Sequence, residues 1–173
     1  MKTYTPLLLL APATAYTINR RTAAATAAAA VFGLHVENAS AIATCKPNAN
    51  NCVEGTIKAP SGASKEDIIK DVRSAIEAYP QVGQDKVDEG GWSVAVDDLD
   101  GAGTAKVEYK SSGKGTFAKL FNGGKPFVDD LDLEVTSDGV AFKSASRVGD
   151  SDFGVNGKRM DYIKGLLAKK GWA

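Results

Sequence analysis

The densest group of residue types that could perform chemistry lies in the C-terminal half of the chain. Carboxylates beside arginines can form an acid/base site, an anion pocket or a cation site. The same residue types can serve architecture, because Asp152 or Asn156 could cap a helix and Arg147 could tie a sheet to it. The sequence favours architecture and keeps a binding site as the alternative. The group comprises Asp129, Asp130, Ser144, Ser146, Arg147, Asp152, Asn156 and Arg159.

The first 43 residues have the composition of a targeting presequence. Lys2 precedes an apolar run at residues 7–13, which is too short to cross a bilayer but suits a signal peptide. Arg20 and Arg21 then precede an alanine-rich stretch, as in twin-arginine signals, and an Ala-x-Ala sequence ends at Ala43. The arrangement resembles precursors of thylakoid-lumen proteins in algae with secondary plastids. One bacterial-type export signal or an amphipathic membrane helix is the alternative, with the periplasm or secretion as destination.

Removing residues 1–43 takes away the only histidine, His35, and leaves 18 basic against 20 acidic residues, a net charge of −2. Without imidazole, simple Ser-His-Asp or Cys-His catalysis and histidine-ligated zinc or iron sites are excluded. The remaining chain also lacks the basic excess typical of nucleic-acid binders. The sequence therefore favours a non-catalytic protein without metal, cofactor, nucleic acid or membrane span, and leaves catalysis by carboxylates open.

Cys45 and Cys52 enclose six residues rich in proline and asparagine, which could turn the chain back on itself. The spacing differs from the Cys-x-x-Cys of redox centres, and two thiols without histidine make a poor zinc site. An exported compartment permits a disulfide. We therefore predict a local disulfide between the two cysteines, with two free thiols as the alternative.

Hydrophobic periodicity predicts a helix near each end of the folded region, which follows an irregular arm over residues 44–63. The first helix begins at Ser64, where Asp67 completes a capping box, and ends before Pro80. The last helix covers about residues 156–170 and presents one apolar stripe.

Segments that alternate apolar and polar residues lie between these helices and predict half-buried strands. In the first segment, Val94 and Val96 share the apolar face. The pattern predicts a single α+β domain over residues 64–173, a two-layer sandwich in which two helices cover one face of an antiparallel sheet of four to five strands. The four segments are 92–96, 105–109, 127–135 and 140–148.

Asp138-Gly139 is a strong turn signal that joins the last two segments into a hairpin. A loop at residues 137–138 pairs Asp132 with Lys143, whereas a loop at residues 138–139 pairs Glu134 with Lys143. In both registers an acidic strand face meets a basic one, and such cross-strand pairs contribute about 0.2–1 kcal/mol each.

Two segments resemble the bacterial and plastid family known as domain of unknown function 1499. Phe-Val-Asp-Asp at residues 127–130 is similar to the family's Phe-x-Asp-Asp strand. Residues 144–156, Ser-Ala-Ser-Arg-Val-Gly-Asp-Ser-Asp-Phe-Gly-Val-Asn, lead into a helix with Arg159, as in the family. The stretch around Cys45 and Cys52 also resembles its entry segment. The resemblance implies a fold and a location, but no activity.

Residues 111–126 form a loop rich in glycine and lysine that also contains Phe117, Leu120 and Phe121. Exposed apolar residues in a basic loop could dock onto a membrane surface or a protein partner. From the sequence we favour the other interpretation, in which these side chains fold back onto the core.

Three hypotheses follow. The first is an accessory protein of the thylakoid lumen that binds membrane protein complexes of the photosynthetic apparatus through loop 111–126 or the polar motif. The second is a carboxylate-based, metal-assisted hydrolase, and the third is a small-ligand binder. A deep pocket lined by the carboxylates favours the hydrolase, and a deep apolar pocket favours the ligand binder. A filled core with an exposed apolar loop favours the accessory protein.

Overall fold

The computed structural model describes residues 42–173, so the predicted presequence, with His35, lies outside the described residues except for Ile42 and Ala43. Five strands and three helices follow one another within this range. The strands are β1 (Cys52–Lys58), β2 (Trp92–Asp98), β3 (Thr104–Lys110), β4 (Val128–Val135) and β5 (Gly139–Ser146). The helices are α1 (Lys65–Glu77), α2 (Thr116–Phe121) and α3 (Val155–Ala168).

The strands form one antiparallel sheet in the order β1-β5-β4-β3-β2. Strands β2 to β5 are neighbours in both sequence and space, and β1 closes the far edge beside β5. This confirms the α+β class and the predicted number of strands. The prediction of an irregular arm over residues 44–63 was wrong for Cys52–Lys58, which form β1. Because Ile57 is the one residue of this edge strand that is buried, the sequence lacks the alternation that indicates a strand.

The two long helices begin and end close to the predicted positions. At the start of α1, the Ser64 hydroxyl accepts from the Asp67 amide at 3.1 Å, and the Ser64 amide donates to the Asp67 carboxylate at 3.2 Å. The predicted capping box is therefore confirmed. Within residues 42–173, none of the helices combines the length and apolar character that a membrane crossing requires.

A single cluster of buried side chains connects the helices with the central strands. Residues at every second position of β3 and β4 contribute to it, since alternate strand residues face the same side. The cluster joins these strand residues to one stripe of α1 and one stripe of α3. The placement of both helices on one face of the sheet stays a prediction. Its central members are Ile68, Val72, Ile76, Val107, Leu131, Leu133, Phe142, Met160, Ile163 and Leu167.

Strand β2 departs from the predicted alternation. Its pairing with β3 shifts register, so Val94 lies opposite Val107 and Val96 lies opposite Lys106. Since Lys106 and Val107 are adjacent on a strand, the two valines of β2 face opposite sides of the sheet. The single apolar face predicted for this segment was therefore wrong, and the side chains are 48% and 50% exposed.

The β4–β5 hairpin adopts one of the two predicted registers. Asp132 lies opposite Lys143, which places the loop at residues 137–138. Gly139 then pairs with Lys58 of β1, and a side chain at this position would meet the Ile57 carbonyl oxygen at 2.0 Å. The close approach of β1 to the hairpin thus requires glycine.

The predicted disulfide is confirmed: Cys45 and Cys52 are bonded, with their Cα atoms 5.8 Å apart. The Cys45 amide also donates to the Glu54 carboxylate at 2.5 Å. The disulfide therefore fixes the segment before β1 against that strand.

Removing this disulfide is expected to lower the free energy of unfolding. The bond closes a loop whose ends are seven residues apart, and loop-closure entropy predicts a loss of about 2.5 kcal/mol. Urea unfolding followed by tryptophan fluorescence, with and without a thiol reductant, measures it. In the control, Cys45→Ser/Cys52→Ser, the urea midpoint should not respond to reductant. A wild-type midpoint that is equally insensitive would contradict the prediction.

Candidate functional site

The predicted polar motif is divided between the two faces of the sheet. Asp129 and Asp130 are consecutive residues of β4, so their side chains face opposite sides. Asp129 faces the core, where it is 6% exposed, and Asp130 faces outward with Arg147. The structure therefore forms two clusters from one sequence motif. The inner cluster contains Asp129, Ser144, Ser146, Asp152, Asn156 and Arg159.

Arg159 of α3 is completely buried, and its side chain donates hydrogen bonds through all of its N–H groups. Nε and Nη2 bind both carboxylate oxygens of Asp88, at 2.8 and 2.6 Å. Nη2 also binds Asp129 Oδ2 at 2.6 Å. Nη1 donates to Ser144 Oγ at 2.8 Å and to Asn156 Oδ1 at 2.6 Å. One guanidinium thus joins α3 to β4, β5 and the loop before β2.

Two tyrosines complete the surroundings of Arg159. The guanidinium carbon lies 4.5 Å from the ring centroid of Tyr109, and the Tyr79 hydroxyl donates to Asp88 Oδ2 at 2.7 Å. Burial opposes the charged form of Arg159, but the hydrogen bonds and charges of Asp88 and Asp129 outweigh burial and raise the pKa of Arg159. Burial, and then the Asp88 carboxylate, raise the pKa of Tyr79.

Asn156 connects this cluster to the disulfide-bonded segment. Its Nδ2 donates to the Asn51 carbonyl oxygen and to Ser146 Oγ, both at 3.2 Å, and to Asp152 Oδ2 at 2.7 Å. Asp152 also accepts from the Asn156 amide at 2.8 Å and from the Gly154 amide at 2.9 Å. Asp152 therefore satisfies two amides at the start of α3, as a capping carboxylate does. Asn156 does not cap the helix.

The outer cluster is an exposed ion-pair group. Arg147 donates to both carboxylate oxygens of Asp130, at 2.9 and 2.7 Å, and also binds Glu108 of β3. Hydrogen bonding from Arg147 lowers the pKa of Asp130 more than partial burial raises it. The Arg147 side chain is 43% exposed, so water screens these pairs.

Sequence reasoning missed Asp88, Tyr79 and Tyr109. Asp88 lies in an irregular loop with φ of 58°, where no periodic pattern predicts which side chains face inward. The available signal was indirect: a buried arginine needs carboxylate partners, and Asp129 supplies one carboxylate for five N–H donors.

The loop at residues 111–126 is closed at its base. The Ser111 amide donates to the Phe127 carbonyl at 3.0 Å, and the Phe127 amide donates back to Ser111 Oγ at 2.9 Å. Between them stands α2, which the sequence did not predict. Leu120 and Phe121 are 71% and 68% exposed, so the favoured interpretation that they fold back onto the core was wrong. The side chain of Phe117 lies outside the described part of the structure.

Two cavities found in the described residues lie away from the polar motif. A recess of about 50 Å³ and a shallow groove of about 370 Å³ flank α1. Neither is lined by Asp129, Asp130 or the other residues of the polar motif. Across residues 42–173, no three His, Cys, Asp or Glu side chains stand together as ligands for a metal ion.

A family model described as protein of unknown function (DUF1499) matches residues 41–167. The chain belongs to the DUF1499 family. This confirms the resemblance stated from residues 127–130 and 144–156. Neither the curated proteins nor the solved structures include a match. The region of this DUF1499 protein that the model matches contains the disulfide, both arginine clusters and the loop 111–126.

The two arginines of the DUF1499 protein are expected to differ sharply in their effect on stability. Replacing Arg159 by Met leaves the carboxylates of Asp88 and Asp129 buried without their cation, which costs about 3–5 kcal/mol of unfolding free energy. Arg147→Gln removes two solvent-screened ion pairs and should cost at most about 1 kcal/mol. Urea unfolding measures both, and failure of Arg159→Met to fold counts as the large effect. Equal, small losses would contradict the buried role.

The two tyrosines beside Arg159 provide a second matched pair in the DUF1499 protein. Within the described residues, the Tyr109 hydroxyl is buried and has no hydrogen-bond partner. Tyr109→Phe should therefore raise the free energy of unfolding by about 1 kcal/mol. Tyr79→Phe should lower it by a similar amount, about 1 kcal/mol, because Asp88 loses a donor. Thermal unfolding of both variants measures the effects; a Tyr109→Phe variant as unstable as Tyr79→Phe would refute the assignment.

Proposed function

We propose that this DUF1499 protein is a non-catalytic accessory protein that binds membrane protein complexes through the loop 111–126. The presequence pattern supports a site of action in the thylakoid lumen, with complexes of the photosynthetic apparatus as partners. The observation that carries the proposal is the exposure of Leu120 and Phe121 on a short helix whose base is fixed to the sheet.

The geometry of the loop favours binding for two reasons. The paired hydrogen bonds between Ser111 and Phe127 fix both ends of the loop. Inside it, Asn122 Nδ2 donates to the carbonyl oxygens of Lys125 and Pro126, at 3.2 and 2.8 Å, and the buried Ala118 anchors α2. A pre-ordered loop loses less conformational entropy when it binds.

The composition of the loop indicates the surface that it binds. Residues 111–126 contain Lys114, Lys119 and Lys125 but no acidic residue. Leu120 and Phe121 stand among these lysines. Apolar anchors surrounded by charge are typical of protein interfaces. The complementary surface is therefore acidic, with an apolar recess.

The ion pairs within the polar motif also favour a non-catalytic function. The Asp129 carboxylate faces the core and binds Arg159, and the Asp130 carboxylate is held by Arg147. The carboxylates that a hydrolase would use are thus committed to arginines of the same chain. This favours the architectural interpretation of the motif over the hydrolase.

Binding of the purified protein to isolated thylakoid membranes tests the proposal. Leu120→Ser/Phe121→Ser should bind at least about tenfold more weakly, since the two anchors supply most of the contact energy. Val82→Ser is the matched control, because Val82 is an 80% exposed valine outside the loop and its removal should change nothing.

Two further samples identify the partner class. Protease-treated membranes should lose binding, and vesicles made from extracted thylakoid lipids should not bind. Binding to the lipid vesicles that equals binding to untreated membranes would show that the partner is the lipid surface and not a protein. Unchanged binding of the double variant to untreated membranes would reject the loop as the docking element.

A further inference from the structure

A recess of about 50 Å³ lies between α1 and the β2–β3 hairpin. Five of the eight residues that line it are apolar. The recess is several times larger than the smallest space that holds a water molecule, and its apolar walls offer water few partners. Its apolar walls therefore offer a contact surface for an aliphatic side chain. The apolar lining residues are Ile76, Val94, Leu99, Ala105 and Val107.

The surroundings of the recess are acidic. A shallow groove along α1 shares Arg73 and Glu77 with the recess. Together they are lined by four carboxylates and two cationic side chains, a net charge of −2. Arg73 is already committed, since it binds Asp97 at 2.8 Å and Asp100 at 2.7 Å. The charged lining residues are Glu66, Lys70, Arg73, Glu77, Asp97 and Asp100.

Glu77 is the point in this lining where a cation would be most favourable. It is the last residue of α1, whose final turn contains no basic side chain. The negative end of the helix dipole therefore adds to its charge. Among residues 42–173, Glu77 makes no ion pair.

We propose that the recess and groove bind the loop 111–126 of a second copy of this chain, with Leu120 in the recess and Lys119 at Glu77. The loop carries three lysines and no acidic residue, whereas the groove is acidic and contains an apolar recess. The proposal rests on the proposed function, because the same loop docks in both, and it adds a competitor for that loop.

Within the described residues, the loop 111–126 lines neither the recess nor the groove of its own chain. Asp100 of the groove lies in the β2–β3 turn, at one end of β3, and the loop leaves from the other end, after Lys110. Seven residues of strand span about 20 Å. Because the Ser111–Phe127 hydrogen bonds fix the base of the loop at the Lys110 end of β3, the recess and groove are left open to the loop of another molecule.

The resulting contact is head-to-tail, since the loop of one copy meets the groove of the next. An open row of copies leaves one loop exposed at its end and covers the others, and a closed ring covers them all. Self-association and membrane binding therefore compete for the loop, and the fraction of covered loops rises with protein concentration.

Sedimentation velocity of the purified full chain over micromolar to millimolar concentrations tests the inference. The wild type should show concentration-dependent association. Glu77→Lys and Lys119→Glu should each weaken it by about fivefold, in the range of a single exposed charge pair. The double charge reversal should restore it, and Asp161→Lys, an exposed carboxylate on α3, should leave it unchanged.

Three results would overturn the inference: a monomer at every concentration, association that Glu77→Lys leaves unaltered, or a double reversal that fails to restore association. The membrane assay separates this from the proposed function. If Leu120→Ser/Phe121→Ser loses membrane binding but the wild type is monomeric at every concentration, the proposed function stands and the inference is rejected. If the double charge reversal restores self-association but the wild type does not bind membranes, the inference stands and the proposed function is rejected.

Discussion

The arrangement of this DUF1499 protein depends on the burial of one guanidinium group. Removing the charge of Arg159 from water is expensive, and the structure compensates only when several separate segments supply acceptors at once. Asp88 comes from a loop, Asp129 from β4 and Ser144 from β5. A buried ion group adds little net stability over an apolar substitute. Its main consequence here is conformational specificity, because chain arrangements that lack any of these acceptors are strongly disfavoured.

The constraint extends outward from Arg159 through Asn156. Asn156 binds the guanidinium through its oxygen and the Asn51 carbonyl through its nitrogen. Asn51 directly precedes Cys52 of the disulfide, and its side chain also donates to the Gly149 carbonyl at 2.6 Å. The segment before β1, the turn after β5 and the start of α3 are therefore held by one continuous hydrogen-bond network. This is a physical reason for the density of polar residues over 144–159.

Local signals were sufficient to predict much of this fold and little of its site. The capping box at Ser64, the hairpin turn signal at Asp138-Gly139 and the disulfide each depend on neighbouring residues, and the sequence contains all three, although it left the register of the hairpin open. The partners of Arg159 depend on tertiary placement, so Asp88 was missed, and Asp129 was grouped with Asp130 although they face opposite sides of β4. Asp129 shares the inner face of β4 with Leu131 and Leu133, and a carboxylate at such an apolar position indicates a buried cationic partner.

The buried cluster also determines where the loop 111–126 stands. Tyr109, which packs on Arg159, precedes Ser111 by two residues, and Asp129 follows Phe127 by two residues. Both ends of the loop base are thus attached to strands that the guanidinium holds together. Loop geometry and core electrostatics are therefore linked, since the strands that carry the two ends of the loop both contact Arg159. The binding proposed for this loop depends on such a base, because conformational freedom left in the loop must be removed on binding.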